Sequence, residues 1–220
     1  MEEHCFSGQT THDWLEPLQT QRVDSPEGRY YVTPEGLHYP SVTSVLGKDK
    51  EHFITEWRNA VGEVEANRVS ERASTRGTTL HNHAEMYLRN QQVTIPKVRF
   101  LDVSLMRGLV PYLNRISNVR ILEGQLYSHT FKLAGTVDCV GDFDSVKSTI
   151  DFKSSTKIKE RYEIDDYFMQ VAIYSYMLTE RYGLNYNQLV VLIAQEFGAA
   201  QVFIDDRRNW RARVQQLINN

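Results

Sequence analysis

Two strand-like segments joined by a short polar turn constrain the fold of this chain more than any other feature. Residues 133–143 and 148–153 are rich in β-branched and apolar side chains, and residues 144–147 between them have turn composition. If the hairpin folds about the middle of this turn, Asp138 lies directly opposite Asp151 on one face, and the apolar pairs lie on the other. The Cβ atoms of such a pair are about 5 Å apart, and like charges at that distance are destabilising. We therefore expect a cation between the two carboxylates.

Lys153 lies two residues after Asp151 and so belongs to the same face of the strand. Two carboxylates and a lysine are the groups needed for metal-assisted hydrolysis of a phosphodiester. The carboxylates hold Mg²⁺ or Mn²⁺, which acidifies a water and stabilises the charge growing on phosphorus. The lysine orients that water or stabilises the transition state as a point charge. The alternative is a surface hairpin with scattered charges, which an isolated Asp-x-Lys would favour.

The length and composition of the chain predict one globular domain. It has 220 residues, of which 41% are hydrophobic and 24% charged. We expect residues 1–27 to be loosely ordered and residues 28–220 to form the domain. No apolar run approaches the ~20 residues that span a bilayer, and the acidic start lacks an apolar signal segment. Only Cys5 and Cys139 are present, which favours a reducing, cytoplasmic setting over a disulfide framework.

The net charge of −3 argues against general nucleic-acid affinity but allows a local basic track. The candidate DNA-binding residues are Arg68, Arg72, Arg76 and Lys157.

The remaining pattern predicts an α/β fold in which a mixed central sheet is flanked by helices. Residues 93–100, around Pro96, are predicted to form a loop. Helices are predicted over residues 52–74, from Gly77 onward, over 101–116 and over 162–182, with a final helix capped by Asp205 or Asp206. Strands are predicted over residues 29–33, 37–39, 119–127, 189–194 and 200–204, and a short helix is predicted to begin with Ser41 or Thr43 as its cap.

Two helical motifs supply further polar groups. His81 and Glu85 are four residues apart and share a helix face, whereas His83 points elsewhere. A neutral imidazole would add a nitrogen ligand and favour Mn²⁺ over a pure Mg²⁺ site, although an isolated helical histidine is more often an ordinary polar residue. Gln170 and Tyr174 are also four apart and can hydrogen-bond the lysine or a DNA phosphate. The alternative for this pair is two half-buried polar residues on an apolar helix.

Three residues around the hairpin complete the set of candidates. Glu123, on the preceding strand, either completes the metal shell or pairs with a lysine. Ser154 and Ser155 follow Lys153 directly and are placed to offer hydroxyls or backbone amides to a phosphate.

The order of these motifs resembles the RecB-type branch of the PD-(D/E)XK nucleases. The resemblance extends over roughly residues 38–218 and is marked for the mitochondrial genome maintenance exonuclease and its phage-like relatives. The motifs are, in chain order, Gly77 with His81, Glu123, Gly135 with Asp138, Asp151 with Lys153, and Gln170 with Tyr174.

This resemblance implies a restriction-endonuclease-like core and an active centre with Mg²⁺ or Mn²⁺. It implies that His81, Asp138 and Asp151 hold the metal together with the Phe152 carbonyl, and that Lys153 assists catalysis. Members of the family degrade single-stranded DNA from free ends, threading it beneath a helical arch. Without a transit segment the chain points to a bacterial cell or a phage-infected host, and without four cysteines it is expected to hold no iron–sulfur cluster. We expect a monomer.

The function expected from the sequence is therefore metal-dependent exonuclease activity on single-stranded DNA. One alternative is a recombination exonuclease that resects one strand of a duplex end. Another is a non-catalytic DNA-binding module, which the paired carboxylates argue against. A zinc hydrolase acting on another substrate is disfavoured because the candidate ligands are rich in oxygen and lack cysteine.

Overall fold

Ten strands are present in the computed structural model, which describes residues 3–25 and 28–219. They are β1 (Glu3–Phe6), β2 (Gln21–Ser25), β3 (Gly28–Val32), β4 (His38–Pro40), β5 (Val93–Pro96), β6 (Ile116–Ser128), β7 (Leu133–Phe143), β8 (Val146–Ser155), β9 (Gln188–Gln195) and β10 (Gln201–Asp206). The α-helices of this described part are α1 (Val42–Gly47), α2 (Glu51–Val61), α3 (Glu63–Leu88), α4 (Phe100–Leu113), α5 (Asp165–Tyr182) and α6 (Arg211–Asn219).

A five-stranded mixed sheet in the order β10-β9-β8-β7-β6 forms the centre of the fold. Neighbouring strands are antiparallel except β8 and β9, which are parallel and are joined through α5. Alternate residues of β9 are buried on opposite faces: Val190 packs with α3 and α4, and Val191 packs with α5 and α6. The predicted mixed sheet flanked by helices is confirmed.

The β7–β8 hairpin turns where the sequence predicted. Asp144 and Ser145 both adopt left-handed backbone conformations, with φ of 51° and 66°, as a two-residue hairpin turn requires. The regular ladder runs from the turn as far as Cys139 opposite Ile150, which is the predicted register. Beyond that pair the expected Asp138–Asp151 opposition gives way to another contact, because the Phe152 amide donates to the Asp138 carboxylate at 2.7 Å.

The expected division of this hairpin into an apolar and a charged face is wrong. Cys139 packs with α3 and α4, whereas Val137 packs with α5 on the other side of the sheet. Residues two apart on a regular strand share a face, so β7 is irregular between Val137 and Cys139, where the regular pairing with β8 ends.

The helix boundaries between residues 51 and 88 also differ from the prediction. The break lies at Gly62, between α2 and α3, and Gly77 is inside α3. Gly62 has φ 83° and ψ 151°, a conformation open to glycine and strained for other residues. Glycine inside a helix costs only about 1 kcal/mol, so Gly77 does not end the helix. We call residues 51–76 the helical arm; α2 has no buried residue, and Ala66 is the one that α3 buries before Leu80.

The described residues near the start of the chain form strands within the segment 1–27, for which the sequence predicted loose order. Strand β1 pairs with β5, which lies within the predicted loop 93–100, and β2 pairs with β3. Residues 11–15 run along the outer edge of β6, where the amides of Asp13 and Leu15 donate to carbonyls of that strand. These pairings join segments far apart in sequence, which a local pattern does not reveal. The domain boundary at residue 28 stays a prediction.

The small sheet of β2, β3 and β4 is anchored on β7. Ser41 caps α1, as predicted, and forms a bridge with Ala134. Tyr31 and Tyr39 pack around Ala134 in a separate apolar cluster. Among the helices of the described residues, none has the length and apolar character needed to cross a bilayer.

Candidate metal centre in a polar cleft

A cleft of 560 Å³ opens between α3, the central sheet, α5 and the small sheet. Most of its lining side chains are polar or charged. They include Arg22, Arg29, Thr43, Thr78, His81, Asn82, Glu85, Glu123, Thr136, Asp138, Lys153, Gln170 and Tyr174.

His81, Glu123 and Asp138 meet at the base of this cleft. The Nδ1 atom of His81 lies 3.1 Å from Glu123 Oε1 and 3.6 Å from Asp138 Oδ1. One potential ligand atom from each residue lies within 4.8 Å of the other two. Asp138 is 6% exposed, so its charge needs a compensating partner. The three groups can hold a metal ion.

Glu123 owes its position to an irregularity in β6. Its φ of 47° is left-handed, and its neighbours Leu122 and Gly124 pair with Cys139 and Val137. The side chain of Glu123 therefore lies across from Asp138. Of the two roles that the sequence left open for this glutamate, the structure pairs it with His81 and not with a lysine.

Asp151 and Lys153 form a second charged pair beside the cluster. The Lys153 ammonium lies 2.5 Å from Asp151 Oδ1. The other carboxylate oxygen, Oδ2, is buried and has no hydrogen-bond partner among the described residues. A buried carboxylate oxygen without a donor is costly, and a cation would satisfy it. The donor set of one imidazole and several carboxylates can thus hold a metal ion.

The pKa shifts in the cleft reflect this crowding of charge. Burial alone would lower the pKa of His81, but the negative charges of Asp138 and Glu123 raise it to about 9. Burial raises the pKa of Asp151 to about 6, against the opposing effect of Lys153. Burial also raises the pKa of Asp138. Both carboxyls therefore hold protons more tightly than exposed ones do, because the effect of burial outweighs that of the nearby positive charges on Lys153 and His81.

Gln170 and Tyr174 line the cleft from α5, one helical turn apart. Burial raises the pKa of Tyr174 well above its ordinary value, while a hydrogen bond with Gln170 lowers it. A Cβ atom added at Gly135 would come within 2.5 Å of the Tyr174 hydroxyl. The glycine three residues before Asp138 thus makes room for this tyrosine.

The predicted phosphate-binding serines are engaged within the protein. The Ser154 hydroxyl accepts a hydrogen bond from Arg76 Nε at 3.1 Å. The Ser155 hydroxyl accepts from the Lys157 amide and donates to the Lys157 carbonyl. Lys157 itself is exposed.

The predicted arginine track on α3 is likewise bound to carboxylates. Arg72 and Arg76 both contact Glu196, at 3.2 and 2.7 Å. Arg68 pairs with Glu65 on the arm surface. None of the three is among the residues that line the cleft, and their role in DNA binding stays a prediction.

The two histidines of α3 have different surroundings. His81 is in the cleft, whereas His83 is absent from its lining, and burial lowers the pKa of His83 near Arg99 and Asp102. Glu85 lines the cleft as expected from its spacing, and it pairs with Arg89 at 2.9 Å.

Arg22 and Arg29 line the cleft from the small sheet, and the sequence did not indicate them as site residues. Both precede the segment that carries the resemblance, and Arg22 lies in the part expected to be loosely ordered. The only signal in the sequence is alternation within a short strand, which gives no hint of where that strand packs.

Thirteen chains among the solved structures are similar to this one. The fold is similar to the crystal structure of a "Putative exonuclease" from Eubacterium rectale, with a TM-score of 0.38 and 9% sequence identity over 81% of this chain and 68% of that one. No family profile matches the chain. No curated protein matches it either.

Proposed function

We propose that this protein is a metal-dependent exonuclease that hydrolyses single-stranded DNA from free ends. The observation that carries the proposal is the cluster of His81, Glu123 and Asp138 beside the Lys153–Asp151 pair in one cleft. This combination of oxygen-rich metal ligands and a half-buried lysine suits phosphodiester hydrolysis. It also supports placing the chain among PD-(D/E)XK nucleases of RecB type, with a restriction-endonuclease-like core.

His81, Asp138, Asp151 and the Phe152 carbonyl would hold Mg²⁺ or Mn²⁺, with Glu123 as an additional carboxylate. When bound, the metal would lower the pKa of a water and stabilise negative charge on phosphorus. The amide of Phe152 fixes the Asp138 carboxylate at 2.7 Å. This contact orients Asp138 before any ligand arrives, which lowers the cost of ordering the site.

Lys153 is the residue that we expect to act on the reacting groups. Its ammonium is held by Asp151 and lies 5.3 Å from the Tyr167 ring centroid. Burial alone would lower the pKa of Lys153, but Asp151 and Asp138 raise it, so the side chain stays charged. A fixed positive charge in the cleft can orient the attacking water or stabilise the pentavalent phosphorus.

The connection of the helical arm supports the requirement for a free end that the resemblance to the nuclease family implies. The chain lines the cleft at Thr43, continues into the arm, and lines the cleft again at Gly77. The arm exposes large apolar side chains, including Phe53 and Trp57. Aromatic side chains stack on unpaired bases, which favours a flexible single strand as the occupant.

The proposal is tested with one end-labelled single strand in linear and in covalently closed form. We expect the linear strand to be shortened with Mg²⁺ or Mn²⁺ and to stay intact with EDTA, while the circle is spared. The Asp151→Asn variant should lose cleavage by at least about 100-fold and still bind DNA, because the loss of one negative charge reduces repulsion of phosphate.

Asp144→Asn is the matched control, since Asp144 is in the turn of the same hairpin and asparagine tolerates its left-handed conformation. It should retain full activity. Metal-independent cleavage, or an active Asp151→Asn variant, would contradict the proposed site. Nicking of the circle at the linear rate would indicate an endonuclease, and a preference for matched duplex ends would indicate a duplex-resecting enzyme.

A further inference from the structure

The small sheet brings two arginines to the cleft that no sequence motif marks. Arg22 of β2 and Arg29 of β3 line the same cleft as His81, Asp138 and Lys153. They bring two guanidinium groups to the cleft that contains the candidate metal centre.

The register of the small sheet explains why both arginines face the cleft. Arg22 pairs with Tyr31, and Asp24 pairs with Arg29. Opposed residues and residues two apart share a face, so all four side chains are on one face. Tyr31 identifies that face, because it is 1% exposed and its hydroxyl lies 3.1 Å from Thr136 Oγ1 on β7.

Asp24 holds the two guanidinium groups next to each other. Its carboxylate accepts from Arg29 Nε at 2.8 Å and from Arg22 Nε at 3.0 Å. One carboxylate between two arginines leaves one net positive charge. The Arg22 and Arg29 side chains remain 42% and 37% exposed, so they are accessible to a ligand in the cleft.

We propose that Arg22 and Arg29 bind the phosphodiester backbone next to the bond that is cleaved, and that Asp24 is a positioning residue for both. This inference rests on the proposed function and assigns a substrate contact to it. Guanidinium forks bind phosphate oxygens through two hydrogen bonds. Contacts to phosphates position a strand without selecting its sequence, so cleavage should be indifferent to base composition.

Arg76 of α3 is a weaker candidate for this contact. Arg76 donates to both Glu196 and Ser154, and its side chain is 14% exposed. Its hydrogen bonds tie α3 to the ends of β8 and β9. Arg76 therefore serves the fold, while Arg22 and Arg29 face the cleft.

The test measures binding of an end-labelled single strand to the full chain carrying Asp151→Asn, by fluorescence anisotropy over a series of NaCl concentrations. Arg22→Gln and Arg29→Gln are each added to this background. We expect each to weaken binding roughly tenfold at low salt, as loss of a charge-assisted hydrogen bond would. Each should also reduce the slope of log affinity against log salt by about one. In the active protein, each should raise KM more than it lowers kcat.

Arg208→Gln is the matched control. Arg208 also pairs with an aspartate two residues away, Asp206, at 2.8 and 2.7 Å, and it is not among the cleft-lining residues. It should leave affinity and salt slope unchanged. Arg29→Lys keeps the charge without the fork and should show an intermediate loss, which guards against a folding defect in Arg29→Gln.

The outcomes separate this inference from the proposed function. If the Arg22 and Arg29 variants match Arg208→Gln in affinity and slope while the unmodified protein cleaves DNA, the inference is overturned and the nuclease proposal stands. If the unmodified protein shows no metal-dependent cleavage, the nuclease proposal fails. A protein that also binds no single strand would overturn both.

Discussion

The β7–β8 hairpin and the helical arm differ in how much of their side-chain surface is buried. The hairpin is covered by helices on both faces, and its side chains contact two apolar clusters. The arm has no buried residue in α2 and exposes Phe53 and Val64 to 69% and 87%. Burial on both faces holds the side chains of the hairpin in the fixed positions that catalysis requires, whereas an exposed arm can change its conformation around a ligand. The candidate metal centre is accordingly on the sheet, and the arm extends from the cleft wall.

The largest expected difference between these regions is in the free energy of unfolding that is lost when an aromatic ring is removed. Phe152 is 1% exposed and its ring contacts that of His81 edge-on. Phe152→Ala should lower the free energy of unfolding by about 3–5 kcal/mol because it leaves a cavity. Phe53→Ala, on the arm, should change it by less than about 0.5 kcal/mol. Urea denaturation of both variants measures this, and similar losses would mean that the arm is packed in solution.

Metal binding should stabilise the sheet region specifically. At a Mn²⁺ concentration 100 times its dissociation constant, the native state gains about 2.7 kcal/mol. The gain should appear as a higher Tm and should vanish in Asp138→Asn, while Asp144→Asn keeps it. A gain that survives Asp138→Asn would place the ion elsewhere.

The two histidines of α3 allow a residue inside the cleft to be compared with one outside it on the same helix. His81→Ala should reduce cleavage about 100-fold, because the imidazole belongs to the metal cluster. His83→Ala should leave cleavage within about twofold, since no role in the cleft depends on it. Steady-state rates at several Mn²⁺ concentrations check this, and equal losses would show that both histidines serve the structure of the helix.

The smallest effects are expected at the two glycines of the arm region. Gly62→Ala forces a strained backbone at φ 83° and should cost about 1–3 kcal/mol locally. Gly77→Ala is inside α3, with nothing within 4 Å of an added Cβ, and should stabilise the helix by about 1 kcal/mol. Hydrogen exchange should register both changes in arm amides alone. Altered exchange in β7 or β8 would mean that the arm and the sheet open together.

The sequence predicted the hairpin register because that feature is local. Turn residues and alternation suffice to place Cys139 opposite Ile150. The partnership of Asp138 with Glu123 was not predictable in this way, because it depends on an irregular backbone at Glu123 within β6. The helix break was misplaced because a glycine can end a helix at either position. Only the structure shows that Gly62 has the left-handed φ of 83° and that Gly77 is inside the helix.

Pairing between strands that are far apart in the chain was the other feature that the sequence did not predict. Strand β1 has its partner in β5, about ninety residues later, and no local pattern records that distance. The same holds for Arg22 and Arg29, whose position in the cleft depends on how the small sheet is anchored to β7. The sequence motifs identified the candidate metal ligands and the lysine. The other residues that line the cleft could be identified only from the fold.

The segment along β6 has a consequence for the handling of this protein. The amides of Asp13 and Leu15 occupy carbonyl groups at an edge of the central sheet, and the Val119 amide donates to Thr11 in return. An uncovered edge strand is a template for pairing with other chains and thus for aggregation. A variant that lacks residues 1–27 and begins at Gly28 would leave this edge of β6 uncovered. Such a protein should keep the same core but precipitate more readily. The segment along β6 therefore protects the protein against aggregation.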